Sequence, residues 1–470
     1  MRSVGYGSRN RPNYSKLTAS FKWYTNYLIA SEQYDRLDLV VYSILNYLAT
    51  ALSMKSIITT DLLVNGDRLN QNIASLAQIG RLPNGGVKRI AYSPEDIQAR
   101  NLVQQWMKEL DLEITIDAAG NITGRYPGKN LASATIATGS HIDTVPCGGH
   151  YDGAYGVLAG LEVVRVLKEN QIQLDCPIEV IVFTDEEGSM IGSKAISGRV
   201  IRDPEYYRRS DGKDIQTCLA RIGGNWDNIA GARRSSEDIA AFVELHVEQG
   251  PVLESMGKQI GVVEGIVGQR RFNITVKGSA NHAGTTPMQM RCDALVAASQ
   301  VILAVNQIGN TPGQQVATVG KMEVLPNAAN VVPGWVEMSL DIRDLSSLHI
   351  DSLLQQLRTH LEEIAVATNT QIRLNSCLYN EPALAEPYIQ KAIALGCEHL
   401  NLSYTYLPSR ASHDAQELAS ITDMGMIFVP SKMGVSHDAS EYTSPEQCIH
   451  GANILLHTLT QLGSDISLGS

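Results

Sequence analysis

The stretch TIATGSHIDTVPCGGHYDGAYGVLAGLEVVRVLK, residues 135–168, decides how this chain folds. It opens on a short apolar run, Thr135–Thr138, that ends in a turn bearing Gly139, His141 and Asp143. A Gly-rich loop follows. Beyond it, apolar residues fall at Val157, Leu158, Leu161, Val164 and Leu167. That spacing predicts a helix over Tyr155–Lys168. A buried strand, a turn carrying ionisable residues and an amphipathic helix make one unit of an α/β fold.

The same grammar recurs elsewhere. Ile178–Thr184 runs into Asp185-Glu186-Glu187-Gly188, and Ala241–Leu245 into His246-Val247-Glu248-Gln249-Gly250. Met426–Pro430 leads by a short loop to Ser436-His437-Asp438. Each sets ionisable residues just past a strand, at the edge where open α/β sheets build their sites. The last helix has a clear start. Ser444 can cap it, Pro445 suits its first turn and Gln447 completes a capping box.

Between Gly265 and Cys377 the order changes. The pattern predicts a strand (Arg271–Val276), a helix (Asp293–Ile308), two strands (Val316–Val324 and Trp335–Arg343), a helix (Leu348–Ala367) and a strand (Gln371–Leu374). That β-α-β-β-α-β order is ferredoxin-like. The expected architecture is therefore a discontinuous catalytic domain with a central mixed sheet, residues 58–264 and 378–470, interrupted by an α+β insert, residues 265–377.

Residues 1–57 read as an N-terminal extension of uncertain order. Met1 to Lys16 is polar, and Leu37 to Met54 is mostly apolar. The apolar run is short for a membrane span and holds Asp38 and Asn46. It also lacks the small-residue cleavage pattern of a signal peptide. An accessory segment is expected, with a membrane or targeting role as the alternative, and Met54 offers a second possible start.

The composition is globular, with 44% hydrophobic and 19% charged residues. The formal net charge is −11 and no long basic run occurs, which argues against nucleic acid. Seven cysteines lie singly, without a C-x-x-C, which fits a reducing compartment and a cytoplasmic location.

The candidate chemistry rests on His141, Asp152, Glu187, His246 and His437. Imidazole and carboxylate suit Zn²⁺, Mn²⁺ and similar ions, and a bridging carboxylate can hold two of them about 3.5–4 Å apart. Such a pair polarises a carbonyl and brings the pKa of a shared water towards ~7. A base must then take that water's proton, and the adjacent Glu186 and Glu187 offer one ligand and one base. Neighbours on a strand point opposite ways, so a turn after Thr184 is required to bring both inward. Taken singly, a histidine after a strand is more often structural, and a glutamate pair more often solvated. Coincidence at four strand ends singles these residues out. His349, His360, His399, His450 and His457 lack that setting and read as helix-face or surface residues, and His150 is ambiguous.

The segments GSHIDTVPCGGHYDGAYGVLAG, FTDEEGSMIG, ELHVEQGPVLE, GSANHAGTTPM, LDIRD, SHDAQELA and MIFVPSKMGVSHDASEYT together resemble the dinuclear-metal N-carbamoyl-L-amino-acid hydrolases, β-ureidopropionases and allantoate amidohydrolases. These are a branch of the aminoacylase and carboxypeptidase-G-like superfamily, and the likeness runs from Leu62 to Leu462. The resemblance implies two divalent ions per subunit, Zn²⁺ foremost, with Mn²⁺, Co²⁺ and Ni²⁺ as alternatives. It implies that His141, Asp152 and His246 hold one ion, that Asp152 bridges, and that Glu187 and His437 hold the other. Glu186 would be the general base. His282 would stabilise the oxyanion, Asn330 and Arg343 would clamp a substrate carboxylate, and Gln249 would lie near the substrate. The insert would serve as lid and homodimer contact, with some active-site groups supplied by the partner. The implied substrate is a small ureido or carbamoyl carboxylate. His246, where peptidase branches carry an acid, favours the carbamoyl and allantoate branch over aminoacylases and dipeptidases. A non-catalytic binding protein on the same fold is a further alternative.

This chain departs from the family pattern at several points. It has Asp185 where Asn is common, Met190-Ile191 where Arg-Phe is common, Arg410-Ala411-Ser412-His413 for a Gly-Ala-Gly-His loop, and Asp438 where Ser or Asn is frequent. These changes bear on the choice of substrate, and none removes an expected ligand.

Overall fold

The computed structural model describes residues 62–209 and 211–465, so the expectations for residues 1–57 and for Met54 lie outside it. The first strands in chain order are β1 (Glu113–Ile116), β2 (Ile122–Tyr126), β3 (Thr135–His141), β4 (Ile178–Phe183), β5 (Ile239–Val247) and β6 (Ile260–Ile266). Next come β7 (Gly268–Lys277), β8 (Asn281–His282), β9 (Val316–Thr318), β10 (Met322–Leu325), β11 (Val331–Val332), β12 (Trp335–Asp344) and β13 (Gln371–Asn380). The last are β14 (Ala383–Leu384), β15 (Tyr404–Ser409) and β16 (Asp423–Val429).

The large sheet has the order β1-β2-β4-β3-β5-β16-β6-β14, with β15 also on β6. Its centre is parallel, because β3 pairs in parallel with β4 and β5, and β5 with β16. β1, β2, β6 and β14 add antiparallel pairings, which makes the sheet mixed. Residues of β3 and β4 are buried throughout, as expected of strands covered on both faces. Helices Ala154–Glu169 and Pro445–Asp465 cover one face with Leu158, Leu161, Leu455 and Leu459. The other face is covered around Phe242, Phe428, Leu253 and Leu418. Truncating a fully buried leucine of this kind to alanine costs about 2–5 kcal/mol.

A second sheet, β10-β12-β7-β13 with β9 also on β12, is antiparallel throughout. Helices Ala294–Gly309 and Ser347–Thr368 pack on it through Val301, Val305, Leu353 and Leu357, giving this sheet its own apolar core. Taken as four positions, the strand order is that of a ferredoxin-like unit.

Two details differ from the expected elements. The strand expected over Val316–Val324 is two, β9 and β10, which pair with different parts of β12 on either side of Val319-Gly320-Lys321. β13 continues to Asn380 along the whole of β7, although Asn375-Ser376-Cys377 is too polar to read as strand. Backbone pairing supplies what local pattern does not.

The capping box at the last helix is formed. Gln447 N–H donates to Ser444 Oγ at 3.2 Å, and Ser444 N–H to Gln447 Oε1 at 2.8 Å.

Candidate functional site

The four parallel strands all end at one edge of the large sheet. His141 is the last residue of β3, and His246 lies one residue from the end of β5. Glu186 and Glu187 follow β4, and His437 follows β16. Asp152 enters from the loop between β3 and helix Ala154–Glu169. Gly153 (φ 63°) lets it come close, since a Cβ there would fall 2.4 Å from His141 Nε2.

Asp152 is the centre of the group. Its Oδ1 lies 3.2 Å from His246 Nε2 and 3.8 Å from His141 Nε2. Its Oδ2 lies 3.2 Å from His437 Nε2, which in turn is 3.5 Å from Glu187 Oε2. One carboxylate thus faces two separate donor sets, His141 with His246 on one side and His437 with Glu187 on the other. Within each set the ligand atoms all lie within 4.8 Å of one another. The buried histidines are oriented for this: His141 Nδ1 is 3.0 Å from the Asp143 carbonyl, and His246 Nδ1 is 2.8 Å from that of Val247. A ring N–H used on a carbonyl leaves Nε2 as the lone-pair nitrogen.

Glu186 and Glu187 both reach the cavity because the chain turns after Thr184, with Asp185 in the left-handed region at φ 59°. Asp143 secures that turn by accepting the N–H groups of Glu186 at 3.4 Å and Glu187 at 3.2 Å. Glu186 Oε2 is 3.6 Å from His141 Nε2.

The electrostatics are those of acids crowded without enough positive charge. Burial, then Asp414, Glu187 and Asp152, pushes Glu186 well above the usual carboxylate range. Burial and Asp152 push Glu187 up to about 7. Burial works against ionisation of Asp152, but His246 and His437 outweigh it and hold the carboxyl well below its ordinary value. His246 is held up at about 9 by Asp152 against its burial, and His437, hydrogen-bonded to Asp152, also at about 9. Burial lowers His141 to about 4. Imidazole nitrogens and carboxylate oxygens converge here, and a cation could take the place of the protons on His246 and His437 and offset the repulsion among the crowded acids. The donor set therefore fits a divalent metal.

The cavity holds about 660 Å³ and is lined by His141, Asp152, Glu186, Glu187, His246 and His437. Gln249 and Arg343 also line it. Gln249 Nε2 donates to Asp152 Oδ2 at 3.0 Å, while its buried Oε1 has no partner. Arg343 Nε and Nη2 donate to Asp341 at 2.9 and 3.2 Å, and its Nη1 to the Arg410 carbonyl at 2.6 Å.

His282 and Asn330 are not in this cavity within one chain. They are exposed neighbours on the small β8–β11 ribbon, where Ala283 N–H donates to the Asn330 carbonyl at 2.9 Å. His282 Nδ1 accepts N–H groups of Gly284 and Thr285 at 3.0 and 3.2 Å. His150 is also elsewhere, 2.9 Å from the Gly85 carbonyl.

Glu441 was not legible as a site residue. Its Oε1 accepts the N–H groups of Tyr151 and Asp152 at 3.0 and 3.2 Å, and its Oε2 the Ser436 hydroxyl at 2.9 Å. It ties the Asp152 loop to the His437 loop. A carboxylate four residues beyond a candidate ligand was the available signal. His413 is buried behind His246, ring centres 4.5 Å apart, with its Nε2 2.8 Å from Ser409 Oγ.

The N-carbamoyl-L-amino acid amidohydrolase of Geobacillus stearothermophilus is 38% identical over 405 residues, 85% of this chain and 99% of that protein. The allantoate amidohydrolase of Bacillus subtilis (strain 168) is 36% identical over 394 residues, 82% and 95% of the two. A crystal structure of an amidase of the hydantoinase/carbamoylase family from Burkholderia multivorans matches with a TM-score of 0.80 at 38% identity, covering 85% of this chain and 98% of its own. The profile of peptidase family M20/M25/M40 matches residues 137–461, which span the whole constellation around Asp152. By sequence and by fold, this chain belongs to peptidase family M20/M25/M40.

Proposed function

We propose that the chain hydrolyses the carbamoyl C–N bond of an N-carbamoyl-L-amino acid or a β-ureido acid, giving the amino acid, CO₂ and ammonia. The observation that carries this reading is Asp152, one oxygen towards His246 and the other towards His437, beside Glu186. The likeness to the Geobacillus stearothermophilus enzyme supports the substrate class.

His141, Asp152 and His246 would hold one divalent ion, and Asp152, Glu187 and His437 a second, with Zn²⁺ foremost. Such ions polarise a carbonyl and make water nucleophilic near neutral pH. Glu186 accepts the proton of the attacking water and returns it to the leaving nitrogen. Its carboxylate lines the cavity with Oε2 3.6 Å from His141 Nε2, which places it for both transfers. The unpartnered Gln249 Oε1 is an acceptor for an N–H of the ureido group. Arg343 offers a planar guanidinium to the substrate carboxylate, in exchange for part of its contact with Asp341.

His282, with Nδ1 already accepting two N–H groups, presents Nε2–H as a donor. We assign it, with Asn330, to the active site of the other subunit of a homodimer, joined through residues 265–377 acting as a lid. A donor supplied that way would meet the charge that develops on the carbonyl oxygen. All seven cysteines are unpaired, which favours a reducing, cytoplasmic setting. Among the described residues no helix is long and apolar enough to cross a membrane.

Allantoate is the second substrate reading. It is favoured by the Bacillus subtilis relative, and the changed residues Arg410 and Ser412, of which Ser412 lines the cavity, bear on the choice between the two. Ammonia release from a panel of N-carbamoyl-L-amino acids, β-ureidopropionate and allantoate, with each metal in turn, tests the proposal. Turnover of a ureido acid supports it, turnover of allantoate alone selects the second reading, and cleavage of dipeptides alone rejects both.

A further inference from the structure

The turn that carries Glu186 and Glu187 is held from behind by a segment remote in sequence. Asp185, only 3% exposed, adopts φ 59°. Its Oδ1 accepts from Arg209 Nη1 at 3.0 Å and its Oδ2 from Ser189 Oγ at 2.5 Å. Its carbonyl accepts the N–H groups of Ser189 and Met190 at 3.0 and 2.7 Å. Gly188 lies against the same carboxylate, since a Cβ there would meet Asp185 Oδ1 at 2.4 Å. The Arg209 guanidinium lies 5.0 Å from the ring centre of Tyr92, itself buried. A column of Tyr92, Arg209 and Asp185 thus backs the turn.

Asparagine is the uncharged counterpart of Asp185, nearly equal in size. Asn tolerates a left-handed backbone and carries no charge. Here a carboxylate stands behind Glu186 and Glu187, and a guanidinium from residue 209 neutralises it.

We propose that Asp185 and Arg209 form a positioning pair, in which Arg209, acting through Asp185, fixes the turn that aims Glu186 and Glu187 into the cavity. This rests on the roles given above to those two glutamates. The pair has an asymmetric signature. Removing Arg209 alone strands a buried carboxylate beside two others. Removing both charges leaves an asparagine that can keep the turn.

The test compares the wild type with R209M, R209K, D185N and D185N/R209M. It reads kcat and KM on a ureido acid and, independently of turnover, Zn²⁺ retention against a chelator. R209M is expected to lower kcat about tenfold or more with KM within about threefold, and to weaken Zn²⁺ retention. D185N/R209M is expected to recover to within about threefold of wild type, and R209K to fall between. R209M matching wild type in both readouts overturns the pair. So does an equal loss in R209M and the double variant, which marks a general structural role for Arg209. If the wild type turns over no ureido acid, the functional reading fails, and Zn²⁺ retention across the series still decides the pair. Where the wild type prefers Mn²⁺, Co²⁺ or Ni²⁺, retention is read with that ion, and a wild type that binds none of the four overturns both.

Discussion

Glu441 Oε1 accepts the backbone N–H of Asp152 at 3.2 Å, across 289 positions of sequence. The same carboxylate accepts the hydroxyl of Ser436, next to His437. One buried side chain therefore sets the distance between the two loops that converge on the centre. E441A leaves those N–H groups unsatisfied and is expected to weaken metal retention about 10–100-fold. Chelator competition checks this. Retention equal to wild type would show that the loops are held by other contacts.

Glu186 is the group assigned to proton transfer. E186Q keeps size and burial but cannot accept a proton, and is expected to lower kcat about 10²–10⁴-fold while metal content stays at the wild-type level. Activity near wild type with metal bound would remove Glu186 from the mechanism.

The pH dependence of metal binding follows from His246 and His437, each held up at about 9 in the metal-free chain. Their raised values stabilise the metal-free fold fully below about 6.5, and that contribution is lost as the pH rises through about 9. Ligation requires both rings neutral, so protons compete with the metal over this window. Metal affinity measured by titration is expected to rise from about pH 6.5 to about pH 9, with protons released on binding. A flat or falling profile would contradict ligation by these two rings.

His282 and Asn330 lie outside the cavity of their own chain, and complementation tests where they act. In a mixed dimer of E186Q and H282A, one site has an intact Glu186 and an intact His282 from the neighbour. Mixing the two inactive proteins is expected to restore about a quarter of wild-type activity after subunit exchange. No recovery, with exchange shown independently, would place His282 in its own chain's site or outside the reaction.

The parts of this protein that were legible in sequence share one property: their signal is local. β3 and β4 announce themselves as apolar runs, the helix after Asp152 as a 3.6-residue period, and the ferredoxin-like order as alternation of the two. His141, Asp185 to Glu187, and His246 stood out because each sits at the end of such a run. Glu441 and Arg209 did not, because their partners lie far away in sequence and no period links them; Asp143 sat at the end of a run, but its bonds to the Glu186 and Glu187 amides were not legible. The need for a turn after Thr184 was legible, but the left-handed Asp185 that makes it was not. β13 was read short because its polar middle is held by pairing to β7 rather than by burial.

The most direct test of the central claim, that Asp152 joins two cation sites, is the metal-to-protein ratio by elemental analysis of protein purified without chelator. The expected result is about two ions per wild-type chain and loss of both sites in D152A at equal fold content by circular dichroism. A wild type with no bound transition metal, or a D152A protein that keeps two ions, would contradict it.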